Sequence, residues 1–358
     1  MKEAVVAPGP TVKIIDSPIP EPNDDQVRIK IVVSGTNPKD WKLPTHYMPD
    51  LVINQGDDIA GIVDKVGANV TEFKVGDRVA AFHEMIKPHG SYAEYGIAWS
   101  HTTFPIPETI SFEEAATIPL AAMTSAVALY VRLGFPSPVP VAEAPHESLP
   151  QPLDSTPLIV YGAGSAVGAF AIQLAVRSGI HPLICVAGKS AGFVEKLLDP
   201  SKGDVLIDYR AGDEVVVEGL QKALAGREAL YALDAVSEKG SYANIAKVLS
   251  KTGGAKLTLV LKDAFDIAVK EYPEFDVSWT MVGAVHIDQK EFGRALYREF
   301  SRGLSEGWFE PHPHEVVPGG LEGLQVALDN LKNGKASAIK YVVRIAETKG
   351  VGVGTRFV

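Results

Sequence analysis

Leu158-Ile159-Val160-Tyr161-Gly162-Ala163-Gly164-Ser165-Ala166-Val167-Gly168 is the stretch whose reading decides the fold. The apolar run Leu158 to Tyr161 reads as a buried strand, Gly162 to Gly168 as a turn, and Ala169 to Ser178 as a helix. Pro182 to Val186 follows as a second strand and closes a βαβ unit. Downstream, Phe193 to Leu198 reads as helix, Asp204 to Ile207 as strand and Val215 to Ala225 as helix. Ala229 to Ala235 and Ala255 to Leu261 supply further strands. Strands alternating with helices predict an α/β domain with a parallel, doubly wound sheet. From Glu291 to Val358 the chain returns to helix and then to a strand at Tyr341 to Ile345.

Upstream the texture differs. Val27, Ile29, Ile31 and Val33 alternate with Arg28, Lys30 and Val32, a period-2 pattern. Ile59 to Val66 is a second apolar run, and Gly76-Asp77 turns the chain into Arg78-Val79-Ala80-Ala81-Phe82. Short strands separated by Gly, Asn and Asp predict a compact barrel or sandwich. Phe112 to Thr117 and Leu120 to Leu133 are alanine-rich and read as helix. The proline-rich stretch Phe135 to Pro157 reads as a surface loop inserted before the next strand, with a linker as the alternative.

Composition bounds the function. The 358 residues suffice for two domains of ordinary size, and with 46% of them apolar more than one core can be buried. A net charge of −10 argues against nucleic acid and an anionic membrane surface as partners. Cys185 is the one cysteine, so no intramolecular disulfide forms, which suits a reducing cytosol. The N-terminal apolar run is cut short by Pro8-Gly9-Pro10 and does not read as a signal peptide. No apolar stretch approaches the roughly 20 residues that span a bilayer, so the expected location is cytoplasmic.

The glycine turn has a chemical reading. A dinucleotide pyrophosphate needs close backbone approach and a helix N-terminus with free N–H groups. Gly162, Gly164, Ser165, Ala166, Val167 and Gly168 are the residues that would provide them, in the spacing G-x-G-x-x-x-G. The end of the second strand chooses the dinucleotide, because an NAD site usually carries an acidic residue there for the ribose 2′-OH. Between Gly168 and Glu195 the sequence has no acidic residue, and the strand runs into Gly188-Lys189-Ser190. A cation and a hydroxyl suit a 2′-phosphate, and Tyr209, beyond the third strand, is placed to pack at the same end. The expected cofactor is NADPH. The bland alternative makes Lys189 a solvated loop lysine.

Several segments resemble the medium-chain dehydrogenase/reductase superfamily, and the likeness covers nearly the whole chain. Gly56-Asp57-Asp58-Ile59-Ala60-Gly61-Ile62-Val63 resembles its G-x-(D/E)-x-(A/G)-G-x-V turn. Val66-Gly67-Ala68-Asn69-Val70, Phe73-Lys74-Val75-Gly76-Asp77-Arg78-Val79 and Gly90-Ser91-Tyr92-Ala93-Glu94-Tyr95 match the segments that follow. The resemblance implies a GroES-like β-barrel-type catalytic domain, residues 1–125 and 291–358, and a Rossmann domain, residues 126–290. Zinc-dependent members place a Cys ligand early and a His-Glu pair in the turn, and here those positions hold Asn37 and Asp57-Asp58. His83 with His89 and His312 with His314 offer no convincing third partner, so no metal is expected. Ser34-Gly35-Thr36-Asn37-Pro38-Lys39-Asp40-Trp41-Lys42 resembles instead the zinc-free branch of quinone and enoyl reductases. Its N-P-x-D-W-K form and the proline-rich insertion look most like fungal enoyl reductases that work in trans with polyketide synthases.

The resemblance implies a nicotinamide held in a cleft between the domains, with a hydride passing to the β-carbon of a conjugated carbonyl or to a quinone. Either acceptor gathers negative charge on oxygen, so the protein must align it and supply donors. Asn37, Lys42, Tyr47 and Thr124 are the catalytic candidates. Asn37 stands at the ligand position of zinc relatives, Lys42 would neutralise an enolate, Tyr47 would give a proton, and Thr124 matches a family threonine beside the nicotinamide. Each has a bland alternative: a turn residue before Pro38, a surface lysine, a packing tyrosine, a helix hydroxyl bonded to its own backbone. Asp40 reads as structural, and Trp41, Trp279 and Phe300 as core or cleft-wall aromatics. Trp279 to Val285 lies where many relatives pair edge strands in a dimer, an internal strand being the equal alternative, so monomer and homodimer both stay open. The leading function is NADPH-dependent reduction of an enoyl thioester or enone. The alternatives are quinone reduction and, from another class, an NADPH-binding sensor or scaffold without turnover.

Overall fold

The computed structural model describes residues 1–139 and 152–351, so most of the expected loop at 135–157 lies outside the described residues. Contacts divide the chain into two compact units, Met1–Leu120 with Gly283–Val358, and Ala121–Val282.

In the first unit β1 (Lys2–Ala7) and β2 (Thr11–Asp16) form an antiparallel hairpin. There follow β3 (Gln26–Gly35), α1 (Lys39–Lys42), β4 (Asp58–Val66), β5 (Arg78–Phe82), β6 (Tyr95–Trp99), β7 (Thr103–Pro105) and α2 (Phe112–Ala115), and α3 (Pro119–Ala126) then leads into the second unit. β3 organises the main sheet. One edge pairs β4, while the other pairs β6 through Gln26–Lys30. The alternation read in the sequence fixes its faces: Val27, Ile29, Ile31 and Val33 are buried, and Lys30 is exposed.

The second unit comprises β8 (Leu158–Tyr161), α4 (Ala166–Arg177), β9 (Leu183–Ala187), α5 (Ala191–Val194), β10 (Val205–Asp208), α6 (Asp213–Leu224), β11 (Tyr231–Asp234), α7 (Ser241–Ala246), β12 (Lys256–Leu259), α8 (Lys262–Glu271) and β13 (Asp276–Trp279). Its six strands are all parallel, in the order β10-β9-β8-β11-β12-β13. That is the doubly wound order, and it reverses between β8 and β11, where such sheets bind ligands at their carboxyl ends. β8 is buried at every residue, as a central parallel strand covered on both faces must be.

The chain then returns to the first unit through α9 (Lys290–Glu306), β14 (His314–Val316), α10 (Leu324–Lys332) and β15 (Lys340–Arg344). β15 pairs antiparallel with the end of β3, setting Val342 opposite Gly35. Leu324, Ala327 and Leu328 of α10 join Val27, Ile29 and Val63 in one core.

Three expectations are corrected. The helix after the glycine turn starts at Ala166, not Ala169, because the Ser165 hydroxyl accepts from the Gly168 N–H at 3.0 Å and caps it. Ala166, Val167 and Gly168 therefore form its first turn. Helical structure from Phe112 to Arg132 spans 21 residues and is long and apolar enough to cross a bilayer. The acidic start and Pro119 mask that run in the sequence, and 89% of its apolar window is buried inside the fold, as in a core helix. Finally, Trp279 to Val285 is not one strand: β13 ends at Trp279, at the sheet edge, and a 3₁₀ helix takes over at Val282.

Among the buried histidines of the first unit, three have clearly lowered pKa values. Burial holds His101 down to about 4, and His286 and His312 down to about 3. An unfolded histidine titrates near ~6.5, so between that value and the folded ones the unfolded chain binds more protons. Their contribution is complete above pH ~6.5 and is lost as pH falls toward the folded values, about 1–2 kcal/mol each by pH 5. The urea midpoint is therefore expected to drop between pH 7 and 5. His286→Leu, which keeps an apolar group beside Phe82, should flatten that slope. An unchanged slope in the variant would assign the acid sensitivity elsewhere.

Candidate functional site

On the second unit the site is built where β8 and β9 end. Tyr161 closes β8, the chain turns through Gly162, and Ser165 starts α4. A Cβ on Gly164 would lie 1.9 Å from Ser190 Oγ, and one on Gly188 would lie 2.6 Å from the Tyr209 ring. The structure thus brings Ser190 against the glycine turn and Tyr209 against the end of β9. Lys189 lies between Gly188 and Ser190 in sequence and is exposed. Tyr209 itself is 48% exposed, a ring face open at the edge of this cradle.

Two neighbours escaped the sequence reading. Arg210 follows Tyr209 and grips Asp208 with two nitrogens, Nε at 2.9 Å and Nη2 at 2.5 Å, so the carboxylate nearest this end is neutralised. Asp234 ends β11 at the switch point, where burial pushes its carboxyl up to about 6 against hydrogen bonds from Ser241 and the Ser237 and Val236 N–H groups. Thr124 is buried on α3, one residue before Ser125, whose hydroxyl donates to the Val167 carbonyl at 2.6 Å. That bond ties α3 to the first turn of α4.

On the first unit the polar residues gather where β3 and β4 meet. Asn37 is buried; its N–H donates to Asp40 Oδ2 at 2.7 Å, and its Nδ2 donates to Asp58 Oδ2 at 2.7 Å. The Lys340 ammonium, from the start of β15, donates to Asn37 Oδ1 at 3.0 Å and Asp58 Oδ2 at 2.5 Å. The Leu120 N–H donates to Asp58 Oδ1 at 2.7 Å.

A second network adjoins the first through Asp40. Lys39 Nζ meets Asp40 Oδ1 at 2.8 Å, Asp57 Oδ2 at 2.5 Å and the Gln55 carbonyl at 2.6 Å. Asp57 Oδ1 also lies 2.8 Å from His83 Nδ1, and the Tyr92 hydroxyl donates to Asp40 Oδ2 at 2.5 Å. Burial works against charge on Lys39, yet Asp40 and Asp57 outweigh it and raise its pKa above the ordinary lysine range. Burial likewise pulls the Asp57 carboxyl upward, but Lys39 and His83 overcome it and hold the group below the usual carboxylate range.

Lys42 and Tyr47 lie farther along the same segment. Lys42 is 9% exposed, with its ammonium 5.6 Å from the Trp41 ring centroid, so the surface alternative does not hold. Tyr47 closes the helical turn Leu43–Tyr47 and is 38% exposed. Trp41 Nε1, the Thr45 hydroxyl and Gln55 Nε2 are buried without a hydrogen-bond partner among the described residues; the sequence singled out Trp41 only as an aromatic, and Thr45 and Gln55 not at all. The segment can thus supply several donors to an oxygen that gathers charge.

Residues 23–108 match the alcohol dehydrogenase GroES-like domain family. The chain is 48% identical over 325 residues to the trans-enoyl reductase fsr4 of Gibberella fujikuroi, which covers 90% of this chain and 92% of that protein. It is 31% identical over 360 residues to the trans-enoyl reductase resD of Aspergillus sclerotiorum, covering 95% and 98%. An alcohol dehydrogenase superfamily protein from Novosphingobium aromaticivorans shares the fold, with a TM-score of 0.76, 20% identity, and coverage of 96% of this chain and 99% of that one. The chain belongs to the medium-chain dehydrogenase/reductase superfamily and, within it, to the family of the trans-enoyl reductases. It is an oxidoreductase that uses a nicotinamide cofactor on small-molecule substrates.

The second unit fits that cofactor: the α4 N-terminus begins at the carboxyl end of the central strand β8, and the lack of a side chain at Gly164 lets Ser190 close against the turn, an arrangement that suits a pyrophosphate. The first unit does not fit zinc. Ammonium groups already occupy the carboxylates of Asp57 and Asp58, and no set of three His, Cys, Asp or Glu side chains able to hold a metal occurs among the described residues.

Proposed function

We propose that this chain is a zinc-independent, NADPH-dependent enoyl reductase that saturates the activated C=C of an enoyl thioester, acting in trans with a polyketide synthase in the cytoplasm. The observation that carries the reading is the 48% identity, over 90% of the chain, to a protein named as a trans-enoyl reductase. NADPH, when bound, supplies a hydride to the β-carbon of the conjugated acceptor. Negative charge then builds on the thioester oxygen, and a donor aimed at that oxygen stabilises the change. Asn37 contributes an amide N–H and Lys42 an ammonium. Tyr47, on the exposed side of the same segment, returns a proton to the α-carbon, and Thr124 helps to orient the cofactor end. We assign residues 1–125 with 291–358 to substrate handling and 126–290 to the cofactor.

The preference for NADPH rests on Lys189, Ser190 and Tyr209. A charge-assisted contact to phosphate contributes about 1.5–3 kcal/mol, or roughly tenfold to a hundredfold in affinity. Lys189→Ala is expected to raise KM for NADPH by that factor while leaving NADH almost unchanged. Equal losses with both cofactors would remove Lys189 from the 2′-phosphate site. The direct test of the function is NADPH oxidation by EDTA-treated protein, with enoyl thioesters and simple quinones compared side by side. Turnover of thioesters supports the reading, and turnover of quinones alone overturns it. Tight NADPH binding without turnover of any acceptor, even with the synthase present, would instead favour a sensor.

A further inference from the structure

We infer that Asp58 and Lys340 are positioning residues that lock the Asn37 carboxamide in a single orientation, a reading that rests on the enoyl-reductase proposal and extends it. Asn37, Asp58 and Lys340 are 5%, 0% and 5% exposed, so water competes weakly for their bonds. A carboxamide has two chemically different ends, and both ends of Asn37 face a full charge. Its Oδ1 receives the Lys340 ammonium at 3.0 Å, and its Nδ2 donates to the Asp58 carboxylate at 2.7 Å. Turning the amide over would set NH₂ against an ammonium and C=O against a carboxylate. Two charge-assisted hydrogen bonds would become two like-polarity contacts.

The backbone of Asn37 is held as firmly. Its N–H donates to Asp40, and next to it the Thr36 N–H and hydroxyl both donate to the Tyr341 carbonyl, at 3.0 and 2.9 Å. Tyr341 follows Lys340, so the strand that supplies the ammonium also fixes the main chain beside Asn37. Asp58 is anchored in turn by the Leu120 N–H on its other oxygen. Nδ2 carries two hydrogens and Asp58 takes one. The second is the donor that the carboxamide retains, and the lock fixes its direction. A donor set in place before the reaction spends nothing on reorientation as charge develops. The C-terminal return of the chain thus delivers a functional group as well as a strand.

The experiment compares Lys340→Met, Lys340→Arg and the charge-balanced pair Asp58→Asn with Lys340→Met in the full chain. The readouts are kcat and KM on a crotonyl thioester, NADPH affinity, and the ¹⁵N side-chain amide resonances of Asn37, assigned by their loss in Asn37→Ser. Lys340→Met is expected to lower kcat about a hundredfold, the cost of a small misplacement of a reacting group. KM and NADPH affinity should change less than about threefold, because binding contacts are intact. The Asn37 amide pair should shift and broaden, and Lys340→Arg should recover most of kcat. The double variant leaves no uncompensated buried charge, so it tests the lock even if Lys340→Met alone folds poorly. Wild-type kcat in the double variant, or an Asn37 amide pair unmoved in both methionine variants, overturns the inference. If the wild-type chain turns over no enoyl thioester, the enoyl reading fails separately, and the amide resonances alone then decide the lock.

Discussion

Gly168→Ala is expected to abolish dinucleotide binding and to lower the unfolding free energy by about 1–3 kcal/mol, the usual cost of overpacking. Gly168 sits in the first turn of α4, where the helix leaves the end of β8. A Cβ there would stand 2.4 Å from the Gly162 carbonyl oxygen and 2.7 Å from the Ala163 Cα. Both atoms belong to the backbone, so no side chain can swing aside. The helix must shift away from the strand, and its free N–H groups then leave the place where a pyrophosphate would meet them. Ser165 caps that same Gly168 N–H, so the cap is lost with the packing. Gly192→Ala is the control. Gly192 lies in α5 with nothing within 4 Å of the added carbon, so the same change is expected to be neutral or to add up to about 1 kcal/mol. Calorimetric NADPH titration and urea unfolding of the two variants check the contrast. Retained binding in Gly168→Ala would mean that the helix tolerates the shift and that the cofactor is held elsewhere.

The parts of this site that were legible in the sequence are those whose cause is local. Leu158 to Tyr161 reads as a buried strand because nothing polar interrupts it, and the glycines mark the turn. The lack of an acidic residue between Gly168 and Glu195 is likewise read without any coordinates, and it grounds the expected NADPH preference that the Lys189→Ala comparison tests. Ser190 and Tyr209 were expected near the same end, and the fold sets them against Gly164 and Gly188. The start of α4 was misplaced because glycine is a poor helix former, whereas here the Ser165 cap outweighs propensity. α8 went unread because its first turn has no side-chain cap to announce it. What the sequence hid altogether is the partnership of Asn37 with Lys340. The two are separated by 303 positions and meet only because β15 pairs with β3. Nothing local distinguishes Lys340 from a lysine at the exposed start of a strand. The one hint lies in the company it keeps, a cation followed by the buried run Tyr341-Val342-Val343.

Lys39→Met should be the most damaging single change in the first unit, costing about 3–5 kcal/mol at pH 7, because it strips the cation from buried carboxylates. Lys39 is the contact that Asp40 and Asp57 share, and both are essentially inaccessible to water, at 0% and 1% exposed. Without the ammonium, Asp40 keeps the Tyr92 hydroxyl and the Asn37 N–H, and Asp57 keeps His83. Neither set supplies the missing charge, so Asp40, which burial already holds above the usual carboxylate range, would rise further, and Asp57 would rise above its unfolded value of ~3.9. That fixes the sign of the pH dependence. A carboxyl whose folded pKa lies above its unfolded one is a burden at high pH, and the burden lifts as pH falls through the folded value. The gap between wild type and Lys39→Met is therefore expected to be widest near neutrality and to narrow toward pH 4. Wild type moves the opposite way through Asp57, whose depressed carboxyl contributes stability that disappears in acid. Urea unfolding of both proteins at pH 7, 5.5 and 4 reads the difference directly. A deficit that stays constant across that range would mean that Lys39 stabilises by packing its four-carbon stem, and that the charge on its end is incidental.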